Sequence, residues 1–138
     1  MHQIPPYGAL SVEFKAQFGD NDGHNIKKTL VAFANTFGGD LYIGIRDDRS
    51  ICGVEDASKT EERLWNMVRH NIFPSIIGSV DTERLAVDGK TVIHVHVDRG
   101  PSPPYSLAQD DPRQVFVRVG SASAPARIQE IAQMGSRR

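Results

Sequence analysis

Three sets of residues have types and spacings that could do chemistry. The first is acidic: Glu13, Asp47 and Asp48 stand beside strand-like runs. Brought together, they would bind Mg²⁺ or Mn²⁺ through oxygen and could activate water for phosphodiester cleavage. Read more simply, Asp47-Asp48 is the polar tip of a hairpin and Glu13 a strand ion-pair partner. The second set is His94 and His96, two apart on an apolar run, so that both point to one face of a strand. Such a pair can hold a transition metal if a third ligand joins it. No feature of the sequence supplies that ligand, and a half-exposed strand face is the competing reading. The third set is cationic. Lys15, Arg46, Arg118 and the turn Gly120–Ser123, with Ser121 in it, could line one groove and contact phosphates. Each cation taken singly also reads as solvated surface charge. Tyr105, after Pro103-Pro104, could stack on a base or close over the core.

The pair Gly38-Gly39 invites comparison with a phosphate-cradling loop. A Walker loop opens a helix with several glycines followed by Lys-Ser/Thr. Here the pair closes a helical pattern and precedes a strand, and no lysine follows it. Helix C-termini repel anions. A left-handed helix stop and tight turn account for it, and ATP is not an expected ligand.

The elements that must position these residues follow from periodicity. Val12–Phe18 reads as a strand and Gly19–Asn25 as a loop. Ile26, Leu30, Phe33 and Phe37 recur at helical spacing, with Asn25 as N-cap and Gly38 as stop. Leu41, Ile43 and Ile45 share one face of the next strand, which turns at Asp47–Ser50. Ser58-Lys59-Thr60-Glu61 fits a capping box opening a second helix, with Leu64, Trp65, Val68 and Ile72 inward and Pro74 ending it. Arg84–Val87, Asp88-Gly89 and Thr91–Val97 read as a hairpin with a type I′ turn. Val115, Val117 and Val119 line a late strand, and a short helix covers Ala126–Met134. Residues 1–10, with Pro5-Pro6, read as an extended lead-in and Gly135–Arg138 as a frayed end. The sum is an α+β domain: a mixed, largely antiparallel sheet with two main helices and a short C-terminal helix.

The 138 residues suit one domain, 1–138. Their net charge of −1 is not the footprint of a strongly basic nucleic-acid binder, although a groove needs only a local patch. The single cysteine, Cys52, excludes an internal disulfide and a Cys-rich zinc site, and fits a cytoplasmic setting. The N-terminus lacks a signal-peptide pattern, and no apolar run is long enough to span a membrane.

Several of these stretches form a combination. Val12-Glu13-Phe14-Lys15 precedes Ala32-Phe33-Ala34-Asn35-Thr36 and Gly38-Gly39; Leu41–Ile45 leads to Asp47-Asp48; Pro103-Pro104-Tyr105 and Arg118-Val119-Gly120-Ser121 follow. In order and spacing, about residues 8–132 resemble the Schlafen AlbA-2 domain family, described as DNA-binding. The resemblance implies an α+β domain with DNA or RNA as partner, no membrane, and no cofactor needed for binding. The family was once labelled ATPase-like; the absent Walker loop agrees with dropping that label. Related domains form a metal-dependent endoribonuclease with an acidic triad. Carried onto this chain, that implies catalytic Glu13 and Asp47, with Asp48 as a further ligand to Mg²⁺ or Mn²⁺. The third acid of the triad should stand at position 8, which is Gly8 here. Two carboxylates hold a divalent ion less firmly than three. Because relatives pair two lobes, a homodimer is also an expectation, as is a protein-interaction module in place of nucleic-acid binding.

Overall fold

The computed structural model describes residues 11–109 and 111–136. The expected lead-in over residues 1–10, with position 8, lies outside them, as do residues 137 and 138 of the expected frayed end. Gly135 and Ser136 belong to the last helix instead.

The helix read from Ile26 and Leu30 is α1 (Gly23–Asn35), and residues 29–35 of it are buried without a break. A helix apolar all round must be covered on both sides. On one side lies a four-stranded sheet of β1 (Val12–Lys15), β2 (Gly39–Ile43), β3 (Val80–Val87) and β4 (Lys90–Val97), in the order β1-β2-β4-β3. On the other lies a hairpin of β5 (Phe116–Val119) and β6 (Ala122–Pro125). α2 (Ala57–His70) packs with α1 on the sheet, and α3 (Ile128–Ser136) covers the outer side of β5. β1 and β2 are parallel, joined by α1 as crossover; the β2–β4 and β3–β4 pairs are antiparallel. The expected fold class therefore holds. No helix of the described residues is long and apolar enough to cross a membrane.

Both ends of α1 have local causes. It begins at Gly23, two residues before the expected cap Asn25. Asp22 precedes it and accepts from the Gly19 amide at 2.7 Å, tightening the loop. At its end the Gly38 amide donates to Phe33 O at 2.8 Å, and Gly38 takes φ +78° as expected for a left-handed stop. A Cβ there would lie 2.6 Å from Val97 O. Gly38→Ala is therefore expected to cost about 2–4 kcal/mol, from left-handed strain plus overpacking, read as a lowered urea midpoint.

Register sorts the sheet's side chains. Glu13, Leu41, Ile43, Ile93, Val95 and Val97 face the helices; Val12, Phe14, Asp40, Tyr42, His94 and His96 face outward. Ile45 was expected beside Leu41 and Ile43, but it packs with Val12, Phe14, Tyr42 and Val92 on the outer side. Gly44, at φ +111°, breaks the strand's alternation. The Asp47–Ser50 turn forms as read, with the Arg46 amide donating to Ser50 O at 2.9 Å.

Three further boundaries differ. The cap of α2 is Asp56, whose carboxylate accepts from the Lys59 amide at 3.0 Å; Ser58 and Glu61 of the expected capping box bind Arg84 instead. β3 begins at Val80, four residues before the expected start, while its type I′ turn holds at Asp88 (φ 52°) and Gly89 (φ 73°). β6 was not expected at all. Of the Val115, Val117 and Val119 stripe, the first two pack on Met134 of α3 and Val119 is exposed.

Candidate functional site

Glu13 and Arg118 meet each other. The Arg118 side chain is 1% exposed, and its guanidinium donates to Glu13 Oε1 at 3.0 Å, Ser123 Oγ at 3.2 Å and Val12 O at 3.3 Å. It also lies 5.1 Å from the Phe33 ring centroid. A buried charge needs such compensation, and this one ties β5 to β1 and α1. Arg118 is thus a cross-brace of the fold, its charge paired with Glu13. Ser121 stands on the exposed β5–β6 turn.

The remaining expected carboxylates lie elsewhere. Asp47 and Asp48 are exposed at the β2 turn, and Asp48 Oδ1 accepts from the Ser50 amide at 2.9 Å and hydroxyl at 2.6 Å. Among the described residues, Glu13, Asp47 and Asp48 do not converge as a ligand group. With Glu13 held by Arg118, they do not fit a Mg²⁺ or Mn²⁺ centre as placed.

Tyr105 belongs to the core, 2% exposed. Its backbone is clasped by Asn35, which is itself buried. Asn35 Oδ1 accepts from the Tyr105 amide at 2.7 Å, and Nδ2 donates to Tyr105 O and Phe116 O, both at 2.9 Å. One side chain at the end of α1 therefore fixes the Pro-Pro-Tyr loop and the start of β5. That gives the Asn of Ala34-Asn35-Thr36 a physical role.

Lys15 is half-buried, and Arg46 is exposed and donates to Ser50 Oγ at 3.2 Å. Lys15 ends β1, and its carbonyl accepts from the Gly44 and Ile45 amides, which brings the Arg46 turn beside it. Arg46 lines a cleft of about 590 Å³ at the carboxyl ends of the parallel β1–β2 pair. Lys59 and Arg63, four residues apart on one face of α2, line the same cleft. Arg63 is oriented by Phe18 O at 2.6 Å and Asp20 at 3.3 Å. Glu55 and Asp56 also face it, so the lining is polar and mixed in sign. Lys15, Arg118 and Ser121 do not line this cleft; Arg118 borders a separate pocket of about 310 Å³ with Thr36, Phe37 and Gln133. The four cations and polar residues expected in one groove are thus dispersed. Lys59 was visible in the sequence only as part of a helix start.

On the outer face, His94 and His96 do find a third donor. Asp40 Oδ1 lies 2.7 Å from His94 Nε2 and 2.8 Å from His96 Nδ1. His94 Nδ1 meets Glu83 Oε1 at 2.9 Å, and His96 Nε2 meets Asp98 Oδ1 at 2.9 Å. Burial pulls the His94 pKa down, and hydrogen bonds to Asp40 and Glu83 reverse this, leaving it raised. His96 is raised chiefly by its bond to Asp40, against burial. Burial pushes Asp40 up, but both histidines outweigh it and hold its carboxyl below the usual range. Beneath them the Tyr42 ring stacks on His94 at 4.7 Å, its hydroxyl pushed up to about 12 by burial and then by Asp40 and Glu83.

A crossover helix buried between a mixed four-stranded sheet and a separate hairpin defines a small α+β domain. Residues 9–127 match the family described as Schlafen, AlbA_2, and the chain belongs to that family. Two solved structures share the fold. One is the DIP2311 protein from Corynebacterium diphtheriae, with 22% identity and a TM-score of 0.65 over 91% of this chain. The chain spans only 23% of that protein. The other is the N-terminal domain of a protein from Nitrosomonas europaea related to the ATP-dependent DNA helicase RecG. It has 22% identity and a TM-score of 0.56, covering 90% of this chain and 87% of that one.

Proposed function

We propose that this chain is a nucleic-acid-binding domain that holds the phosphate backbone of DNA or RNA at the cleft formed by the carboxyl ends of β1 and β2. The observation that carries this reading is the convergence there of Arg46, Lys59 and Arg63 from two separate elements, with Lys15 beside them. In open α/β sheets ligands bind in the crevice outside the carboxyl ends of parallel strands, and the parallel β1–β2 pair presents such a crevice here. Family membership supports a nucleic-acid partner, as does the fold shared with a protein related to a DNA helicase. Cations that contact phosphates give affinity without reading sequence. The nearby Glu55 and Asp56 keep the patch from being uniformly basic, which agrees with a net charge of −1. Arg118 acts indirectly, by bracing β5 against β1. The reading is of a binding module and not a nuclease, because Glu13 is committed to Arg118 and Asp47-Asp48 sit on a separate turn.

Fluorescence polarisation on single- and double-stranded DNA and RNA, over a range of salt, checks it. Binding is expected to weaken linearly with log salt. The double variant Arg46→Ala/Lys59→Ala should bind more weakly, with a duplex-DNA salt slope shallower by about 1.8, at roughly 0.9 per lost phosphate contact. Absence of binding at low salt, or an unchanged slope in the double variant, contradicts the proposal. Mn²⁺-dependent cleavage lost in Glu13→Gln would replace it with the nuclease reading.

A further inference from the structure

We infer that Asp40, His94 and His96 form a binding site for a divalent transition-metal ion of the Zn²⁺ or Co²⁺ type. The inference rests on the geometry of the outer sheet face, at the amino end of β2, and not on the nucleic-acid reading.

The arrangement of the donor atoms makes the case. A neutral imidazole carries one N–H, yet all four ring nitrogens of the two histidines face carboxylate oxygens within 2.9 Å. Hydrogen bonds satisfy all four contacts only if both rings are imidazolium, side by side with centroids 6.5 Å apart. With neutral rings, two nitrogen lone pairs would point at acceptor oxygens. The two outer contacts, His94 Nδ1 to Glu83 and His96 Nε2 to Asp98, are the natural places for the N–H groups. The lone pairs of His94 Nε2 and His96 Nδ1 then both point toward Asp40 Oδ1, and one metal cation among the three would take the place of the two protons there. Glu83 and Asp98 would do for these rings what carboxylates do behind metal-bound histidines, fixing the tautomer and the ring orientation.

The dimensions agree. The donor atoms of Asp40, His94 and His96 all lie within 4.8 Å of one another. Ligands about 2.0–2.1 Å from a tetrahedral Zn²⁺ stand about 3.3 Å apart. To admit the ion, the 2.7 and 2.8 Å separations open to about that distance, the Asp40 carboxylate turning off the line of the two ring lone pairs. The frame is firm, because the donors come from two neighbouring strands in register, Asp40 opposite His96. His94 is held between the Tyr42 ring and Glu83. The His96 and Asp40 side chains are 43% and 30% exposed, which gives an ion a way in from solvent. Two nitrogens and one carboxylate suit Zn²⁺ and its neighbours better than Mg²⁺ or Ca²⁺, which prefer all-oxygen shells. Three protein ligands leave a further coordination position to water.

The test uses the whole chain, stripped with EDTA and desalted. Zn²⁺ is titrated by calorimetry and Co²⁺ by visible absorption. The expected result is one ion per chain, visible Co²⁺ bands typical of low coordination number, and a thermal midpoint higher with Zn²⁺ than without it. Asp40→Ala and His96→Ala should each weaken binding at least a hundredfold, and Glu83→Gln by about ten- to a hundredfold. His24→Gln and His70→Gln should bind as the parent does. Circular dichroism confirms folding of each variant; His96 is the more exposed histidine, so its variant decides the matter if Asp40→Ala fails to fold. No saturable binding by the parent chain overturns the inference, as does unchanged affinity in His96→Ala.

Discussion

Arg118→Ala is expected to destabilise the domain by about 3 kcal/mol. That is the low end of the range for removing one partner of a buried ion pair, since Glu13 keeps 22% exposure. The loss has three sources. Glu13 is left as a carboxylate without its counter-charge, the Val12 carbonyl and Ser123 hydroxyl lose a donor, and Phe33 loses the cation over its ring. Arg118→Lys is expected to recover little, because an ammonium cannot reach three acceptors with the planar fork of a guanidinium. The double variant Glu13→Leu/Arg118→Met should recover much of the loss, because an apolar pair of similar volume avoids burying charge. Urea denaturation of the parent, Glu13→Leu, Arg118→Met and the double variant measures this as a double-mutant cycle. A loss under about 1 kcal/mol in Arg118→Ala, the scale of a surface ion pair, would contradict the cross-brace role.

A comparable effect is expected at Asn35. Asn35→Ala should cost about 3–4 kcal/mol, since it strips partners from the Tyr105 amide and from the Tyr105 and Phe116 carbonyls in one step. Each buried polar group left unsatisfied costs about 1–3 kcal/mol. Asn35→Asp is expected to be no better, because it loses both donors and aims a buried charge at two carbonyl oxygens. Native-state hydrogen exchange gives the local signature: the Tyr105 amide should exchange much faster in either variant. A Tyr105 amide that stays as protected as in the parent would contradict the clasp.

Much of the frame was readable where local chemistry decides it. Asp88-Gly89 between two apolar runs has one good solution, a type I′ turn, and Gly38 had to be a helix stop because nothing else about it suited a strand or a phosphate. The errors fall where local choices compete. Asp56 and Ser58 both make acceptable caps, and Asp56 won because Ser58 and Glu61 are drawn to Arg84 on the neighbouring strand. β6, with the sequence Ala-Ser-Ala-Pro, has no apolar alternation and exists by pairing with β5. Gly44 carried the signal for a break in parity, but whether a glycine in a strand turns the chain depends on what approaches it, here Gly53.

The candidate sites were less legible because their partners are remote. Arg118 lies on a strand as a surface arginine would, and its burial follows from Glu13, 105 residues away. The third partner of His94 and His96 is Asp40, 54 and 56 residues off, and only the β2–β4 register brings it there. Its one local sign was an aspartate sharing strand parity with Tyr42. The grouping of Arg46 with Lys59 and Arg63 likewise depends on where α2 starts relative to the β2 turn.

The central claim, that phosphates are held at the carboxyl ends of β1 and β2, is tested most directly by chemical-shift mapping. Isotope-labelled protein is titrated with a short oligonucleotide that binds in the polarisation panel. The account predicts that the largest shifts fall on Lys15 and on the cleft residues Gln17, Arg46, Gly53, Lys59 and Arg63. Largest shifts on the outer sheet face around His94 and Glu83, or on α3, with the cleft unmoved, would contradict it.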